Sequence, residues 1–151
     1  MEITNIIALA LLVACAGIGA WTDITQRRLS NWLCLATFVA GLGMTAATAG
    51  PDALLSHLGH AVAALVIGLA LFAAGVWGGG DGKFYAAVAA WFPIEGFFNL
   101  VFAISLLGFA TLLVMAIKAR GRLFRKDGVG VPYGVAIGSG AVLAAVLRVV
   151  P

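Results

Sequence analysis

A chain of 151 residues in which 63% are hydrophobic and 10% charged, with a mean hydropathy of +1.11, is not an ordinary soluble domain, where about a quarter of residues carry charge. A bilayer crossing takes roughly 20 apolar residues, so the length accommodates about six spans with short connections and no separate soluble domain. Residues 1–151 therefore read as one membrane-embedded unit. The net charge of +3 would point a soluble protein towards anionic partners. In an apolar chain the placement of Lys and Arg is a topology signal instead, and nucleic-acid binding is set aside.

The first apolar segment covers residues 3–20. The sequence Leu12-Val13-Ala14-Cys15 resembles a lipoprotein cleavage box, but the leading residues Met1-Glu2-Ile3-Thr4-Asn5 include no Lys or Arg, and the basic pair Arg27-Arg28 follows the segment. A cleaved signal peptide has the opposite arrangement, so a retained helix is expected. The second segment covers residues 32–49 and the third 58–77. The fourth, 84–92, ends at Pro93 and is too short to cross alone; extension through 78–83 and Ile94 gives about 15 residues or more, enough in a thin or protein-shielded setting. The fifth covers 97–117 and the sixth 131–150. The expected fold is all-α and polytopic, with about six transmembrane helices.

The connections alternate in charge. Arg27, Arg28, Lys83, Lys118, Arg120, Arg122, Arg125 and Lys126 fall in alternate loops, whereas Gly50-Pro51-Asp52 and Pro93-Ile94-Glu95-Gly96 hold no positive charge. Eight of the nine basic residues then lie on one side, with Arg148 on the other. The positive-inside rule places that side in the cytoplasm and both termini outside. The basic loop after residue 118 reads as a topology anchor that can also attract anionic headgroups.

Among six acidic residues, two stand at the edge of hydrocarbon, where an unpaired charge costs at least a few kcal/mol. Asp23 follows the first segment; Asp81 stands in Gly78-Gly79-Gly80-Asp81-Gly82-Lys83. Two crossings separate them, so they return to the same face and can meet. Taken singly, Asp23 reads as well as a solvated interfacial carboxylate paired with Arg27 or Arg28, and Asp81 as a helix N-cap starting a helix at Gly82. Together they fit a dyad. Two carboxyl groups within hydrogen-bond distance do not both ionise readily; one holds a proton while the other removes a proton from an attacking water. Such a dyad needs no serine nucleophile, metal or cofactor.

Other constellations are thin. His57 and His60 share a helix face and read as an interfacial pair without metal-ligand company. Cys15 and Cys34 lie in apolar stretches as buried thiols, with neither zinc-site nor disulfide spacing. Ser105, Ser139 and Asn99 read as helix-packing polar groups. The Gly78–Lys83 run lacks the strand context and full spacing of a phosphate loop.

The run Gly78-Gly79-Gly80-Asp81-Gly82-Lys83-Phe84 resembles the G-x-G-D-x-K signature of the type IV prepilin peptidases, membrane aspartic proteases of the G-x-G-D group. The stretch from Asp23 through Arg27-Arg28 to Asn31-Trp32 is similar to that family's first-aspartate motif, with Leu29-Ser30 in place of Ile-Pro. Ser30 is able to cap the second helix. Val131-Pro132-Tyr133-Gly134 resembles the family's lead-in to the last helix. The likeness covers nearly the whole length.

It implies a short-form peptidase, without the methyltransferase domain, in the bacterial cytoplasmic membrane. Its substrate would be a prepilin or pseudopilin, losing its short basic leader at the cytoplasmic face. Asp23 and Asp81 would be catalytic, and Gly78, Gly80 and Lys83 would shape the site or contact substrate. The competing readings are a small proton- or cation-coupled transporter using the same aspartates and a catalytically silent component of a pilus or secretion machine.

Overall fold

The computed structural model describes residues 2–118 and 132–149, the side chain of residue 149 excepted. Arg120, Arg122, Arg125 and Lys126 of the expected basic loop, and both ends of the expected sixth segment, lie outside the described residues. Six α-helices follow in order: α1 Ile3–Gln26, α2 Asn31–Ala49, α3 Leu54–Ala73, α4 Gly79–Ala89, α5 Phe97–Lys118 and α6 Tyr133–Val149. Short 3-10 turns at Pro51–Ala53 and Ile94–Gly96 lead into α3 and α5. The described residues contain no strand.

Four stretches are long and apolar enough to cross a membrane: Ile3–Gln26, Asn31–Ala49, Pro51–Ala73 and Ile94–Lys118. Helix α6 has 17 residues, about 25 Å at 1.5 Å per residue. Helix α4 has 11, about 16 Å, and is too short to span. The expected six helices are present, but the fourth is not a conventional span.

Segment boundaries also move. The first helix continues six residues past its expected end, through Asp23, and stops where Arg27 takes a left-handed conformation (φ 53°) and its N–H bonds Asp23 O. Helix α2 starts at Asn31 with Ser30 as its N-cap, accepting the Leu33 N–H at 3.2 Å. Helix α3 begins four residues earlier than hydropathy places it and ends at Ala73, leaving Trp77 in the connection to α4. Pro51 at the first position of the preceding turn favours that early start.

Helix α4 is the core of the bundle. Every residue from Phe84 to Ala90 is buried, as befits a helix that is apolar all round. Helix α3 packs along it with no side chain between the two backbones at the crossing. A Cβ added to Gly68 would lie 2.6 Å from Gly82 Cα. Small residues permit such backbone approach where helices associate by packing.

Beyond Ala89 the N–H groups of Ala90, Trp91 and Phe92 still bond back into α4, but the carbonyls of Ala90 and Phe92 have no helical partner, and a buried carbonyl without one is costly. Two histidines of α3 supply the donors. His57 Nδ1 lies 3.0 Å from Ala90 O and His60 Nδ1 lies 3.0 Å from Phe92 O. A carbonyl only accepts, so both rings carry their proton on Nδ1. Thr45 Oγ1 also accepts from His57 Nδ1 at 3.0 Å and passes its own proton to Gly41 O at 3.0 Å. Trp91 Nε1 donates to Thr37 O at 2.9 Å. The expectation of an interfacial histidine pair is thus corrected: both rings are buried, because they terminate α4.

Gly68→Ala should therefore force the α3–α4 backbones apart and destabilise the protein by about 1–3 kcal/mol, as over-packing does. Gly43, with open space around its Cα, provides the control. Gly43→Ala should leave the thermal midpoint level or slightly raised. Melting both variants in one detergent by intrinsic Trp fluorescence measures the difference.

Candidate active site

Three chain segments meet at one end of the bundle: the last turn of α1, the first turn of α4 and the start of α6. Asp23 lies in the first of these and is buried (7% exposed). Its Oδ2 accepts the backbone N–H of Gly134 at 2.7 Å, a contact across 111 residues. Arg27, one turn on, faces it electrostatically. Gly134 has no room for a side chain: an added Cβ would sit 2.9 Å from both Asp23 Cβ and Oδ2.

Asp81 occupies the third position of α4, not the N-cap the sequence allows. Gly78 is the N-cap, in extended conformation (φ −72°, ψ 150°). Asp81 Oδ2 reaches back to accept the Gly78 N–H at 3.0 Å. This is the carboxylate half of a capping box, favourable at the positive end of a helix dipole. The side chain is half-buried. Burial pushes its pKa up to about 6; the Gly78 N–H opposes the rise and the negative charge of Asp23 adds to it. The two carboxyl groups thus act on each other electrostatically.

The remaining residues singled out from sequence lie around this pair. A Cβ on Gly80 would come within 3.3 Å of Leu29 Cβ, so the connection after α1 rides directly on the first turn of α4. A Cβ on Gly78 would fall 2.9 Å from Asp81 Oδ2. Lys83 is exposed and its Nζ donates to Asn31 Oδ1 at 3.1 Å, tying the first residue of α2 to α4. All five expected positions, Asp23, Asp81, Gly78, Gly80 and Lys83, therefore belong to one end of the molecule. Among the described residues no group of three or more His, Cys, Asp or Glu side chains is placed to hold a metal.

Sequence reasoning missed the partners that hold this end together. Gly134 appears in the sequence only as part of Pro132-Tyr133-Gly134, with nothing to link it to Asp23. Trp77 stands edge-on to Tyr85 (centroids 5.7 Å apart) and tilted against Tyr133 (5.9 Å). That cluster packs the start of α6 against α4 and so seats the Gly134 amide. The signal available was the aromatic residue beside each motif, Trp77 before the glycine run and Tyr133 before Gly134.

Residues 8–117, which include both Asp23 and Asp81, match a family model described as the type IV leader peptidase family. No curated protein and no solved structure matches the chain significantly.

A carboxyl whose pKa rises on folding lowers stability once it ionises. For Asp81 the penalty is absent below the ordinary value of 3.8 and complete above about 6, because the native state binds the proton more tightly. The thermal midpoint should fall as pH rises from 4 to 6, and Asp81→Asn should flatten that slope. Unfolding scans of both proteins across this pH interval provide the check.

Proposed function

Because the chain belongs to the type IV leader peptidase family, we propose that it is a membrane aspartic endopeptidase in which Asp23 and Asp81 form the catalytic dyad. The observation that carries this reading is the convergence of two acidic side chains from α1 and α4, one of them with its pKa pushed up to about 6 in part by the charge of the other. Perturbed carboxyl pairs of this kind suit acid–base chemistry. As a dyad the two would share one proton, which would belong to the pair rather than to either residue.

In the proposed reaction the ionised carboxylate takes a proton from water as the water oxygen attacks the scissile carbonyl, while the protonated partner donates to the carbonyl oxygen. The tetrahedral intermediate then collapses: one of its hydroxyls returns a proton to the ionised partner, the C–N bond breaks, and the amine leaves with the proton that the other carboxyl took from water, which restores one proton to the dyad. Gly134 holds Oδ2 of Asp23 at 2.7 Å, which leaves Oδ1 for the reaction. Positioning of this kind supplies much of a rate enhancement.

The proposed substrate is a type IV prepilin or pseudopilin, cut between its short basic leader and its hydrophobic segment. The site end of the bundle would face the cytoplasm of a bacterial inner membrane, with both termini outside. Residues 1–151 would act as one membrane-embedded peptidase unit. Gly78 and Gly80 would keep the backbone around Asp81 free of side chains, and Lys83 would stand where a peptide approaches.

Asp23→Asn and Asp81→Asn should each abolish removal of a prepilin leader while leaving membrane insertion intact, with mass spectrometry of the new N-terminus as the readout. Processing that survives both substitutions would remove the dyad. Acid-coupled ion flux in liposomes without cleavage of any prepilin would favour a transporter instead.

Gly134→Ala should lower turnover by about tenfold or more, mostly in kcat, because it displaces Asp23 by sub-ångström to ångström amounts without removing it. A change confined to KM would mean that Gly134 does not position the carboxylate.

A further inference from the structure

At the end of the bundle away from Asp23 and Asp81 lies a cavity of about 450 Å³ between the start of α1, the end of α2, and the ends of α4 and α6. Its volume falls within the roughly 300–1,000 Å³ of small-molecule pockets. Its walls combine apolar side chains, Leu9 and Met44 among them, with Asn5, Thr48, His57 and Arg148. Polar groups beside hydrocarbon need partners. Here their hydrogen bonds to the protein leave a definite remainder.

His57 is buried (5% exposed). Its Nδ1 proton is committed to Ala90 O and Thr45 Oγ1. Nε2 is then unprotonated and forms no hydrogen bond among the described residues, so it has only a lone pair to give. The proton of Thr48 Oγ1 is likewise committed, to Met44 O at 2.8 Å. The donors left over are the Asn5 amide and the Arg148 guanidinium, whose charge also reaches the exposed Glu95 carboxylate but which forms no hydrogen bond with it. The cavity thus suits an anion opposite Arg148 together with donors to His57 Nε2 and Thr48 Oγ1, a role that hydroxyl groups fill.

We propose that this cavity binds an anionic phospholipid with a hydroxylated headgroup of the phosphatidylglycerol type. The phosphodiester meets Arg148 and Asn5; guanidinium is the side chain best matched to phosphate oxygens. The glycerol hydroxyls donate to His57 and Thr48. The acyl chains lie along the cavity's apolar wall, which includes Leu9 and Met44. A choline headgroup has no hydroxyl to give these acceptors. The placement also accounts for Arg148, the one basic residue on its side by the sequence reading. The site is independent of the peptidase reading.

The test uses the full chain in phosphatidylcholine nanodiscs doped with a photoactivatable phosphatidylglycerol, with adducts mapped by mass spectrometry. Adducts should concentrate in residues 5–12 and 41–49. Arg148→Gln should cut their yield about tenfold, as expected for loss of a charge-assisted hydrogen bond. Thr48→Val, at an exposed position of α2, should cut it less, and both variants should keep the parent's thermal midpoint in phosphatidylcholine alone. Adducts spread evenly over the exposed helices would overturn the proposal. So would a yield unchanged by Arg148→Gln, or an equal yield from photoactivatable phosphatidylcholine. Loss of the adduct on adding millimolar inorganic phosphate would reassign the cavity to a soluble anion.

Discussion

An eleven-residue helix cannot cross hydrocarbon and end in water, so the rest of this bundle is arranged to finish α4 inside protein. Its carbonyls at Ala90 and Phe92 emerge where nothing but other helices can reach them, and His57 and His60 supply both donors at 3.0 Å. The Trp91 indole is tied to the backbone of α2. From Phe84 to Ala90 every residue is covered by protein; the α3 backbone meets α4 at Gly68 and Gly82, with no side chain between. Each of these contacts fixes the depth and rotation of α4, and hence the position of whatever its first turn carries.

That first turn carries Asp81. Its neighbours come from distant parts of the chain: Leu29 against Gly80, Asn31 on Lys83, and the α6 lead-in through the Trp77–Tyr133 contact. Asp23 is held from the opposite direction, by the α6 amide at Gly134. The two carboxyl groups are therefore set by different helices that share α6 as a common brace. On the proposed chemistry this matters, because a dyad works only while its members keep one proton between them, and their spacing sets how strongly each opposes ionisation of the other.

Much of this was legible in the sequence, for identifiable reasons. Apolar runs give helices directly, and the order of six follows from them. The charge alternation of the loops predicted that Asp23 and Asp81 share an end, and they do. Ser30 announced its capping role by type and position. What hydropathy could not resolve was the difference between a helix buried by lipid and one buried by protein. Residues 84–92 are apolar in either case, and only their length hints at the answer. The same ambiguity hid the histidines. Three apart near the end of an apolar stretch, they suit a headgroup interface as well as a helix terminus, and the choice depends on where Ala90 O and Phe92 O fall in space. Gly134 was illegible for another reason: its contribution is a backbone amide, which every residue but proline has.

The two ends of α4 are built from different kinds of interaction, and that difference separates stability from chemistry. At the far end neutral donors meet neutral carbonyls, and the bonds lie in buried surroundings where their loss is costly. At the near end the groups are ionisable and partly open: Asp81 is half-buried, Lys83 exposed, and the helix begins with glycines that each cost about 1 kcal/mol relative to alanine. A helix spanning the full bilayer would have placed its second terminus in water and needed no such anchoring. The short helix, clamped at one end, keeps a conformationally weak glycine turn at a fixed position at the other. The proposed site needs that combination, since an incoming peptide requires backbone free of side chains and the dyad requires carboxyl groups that do not drift.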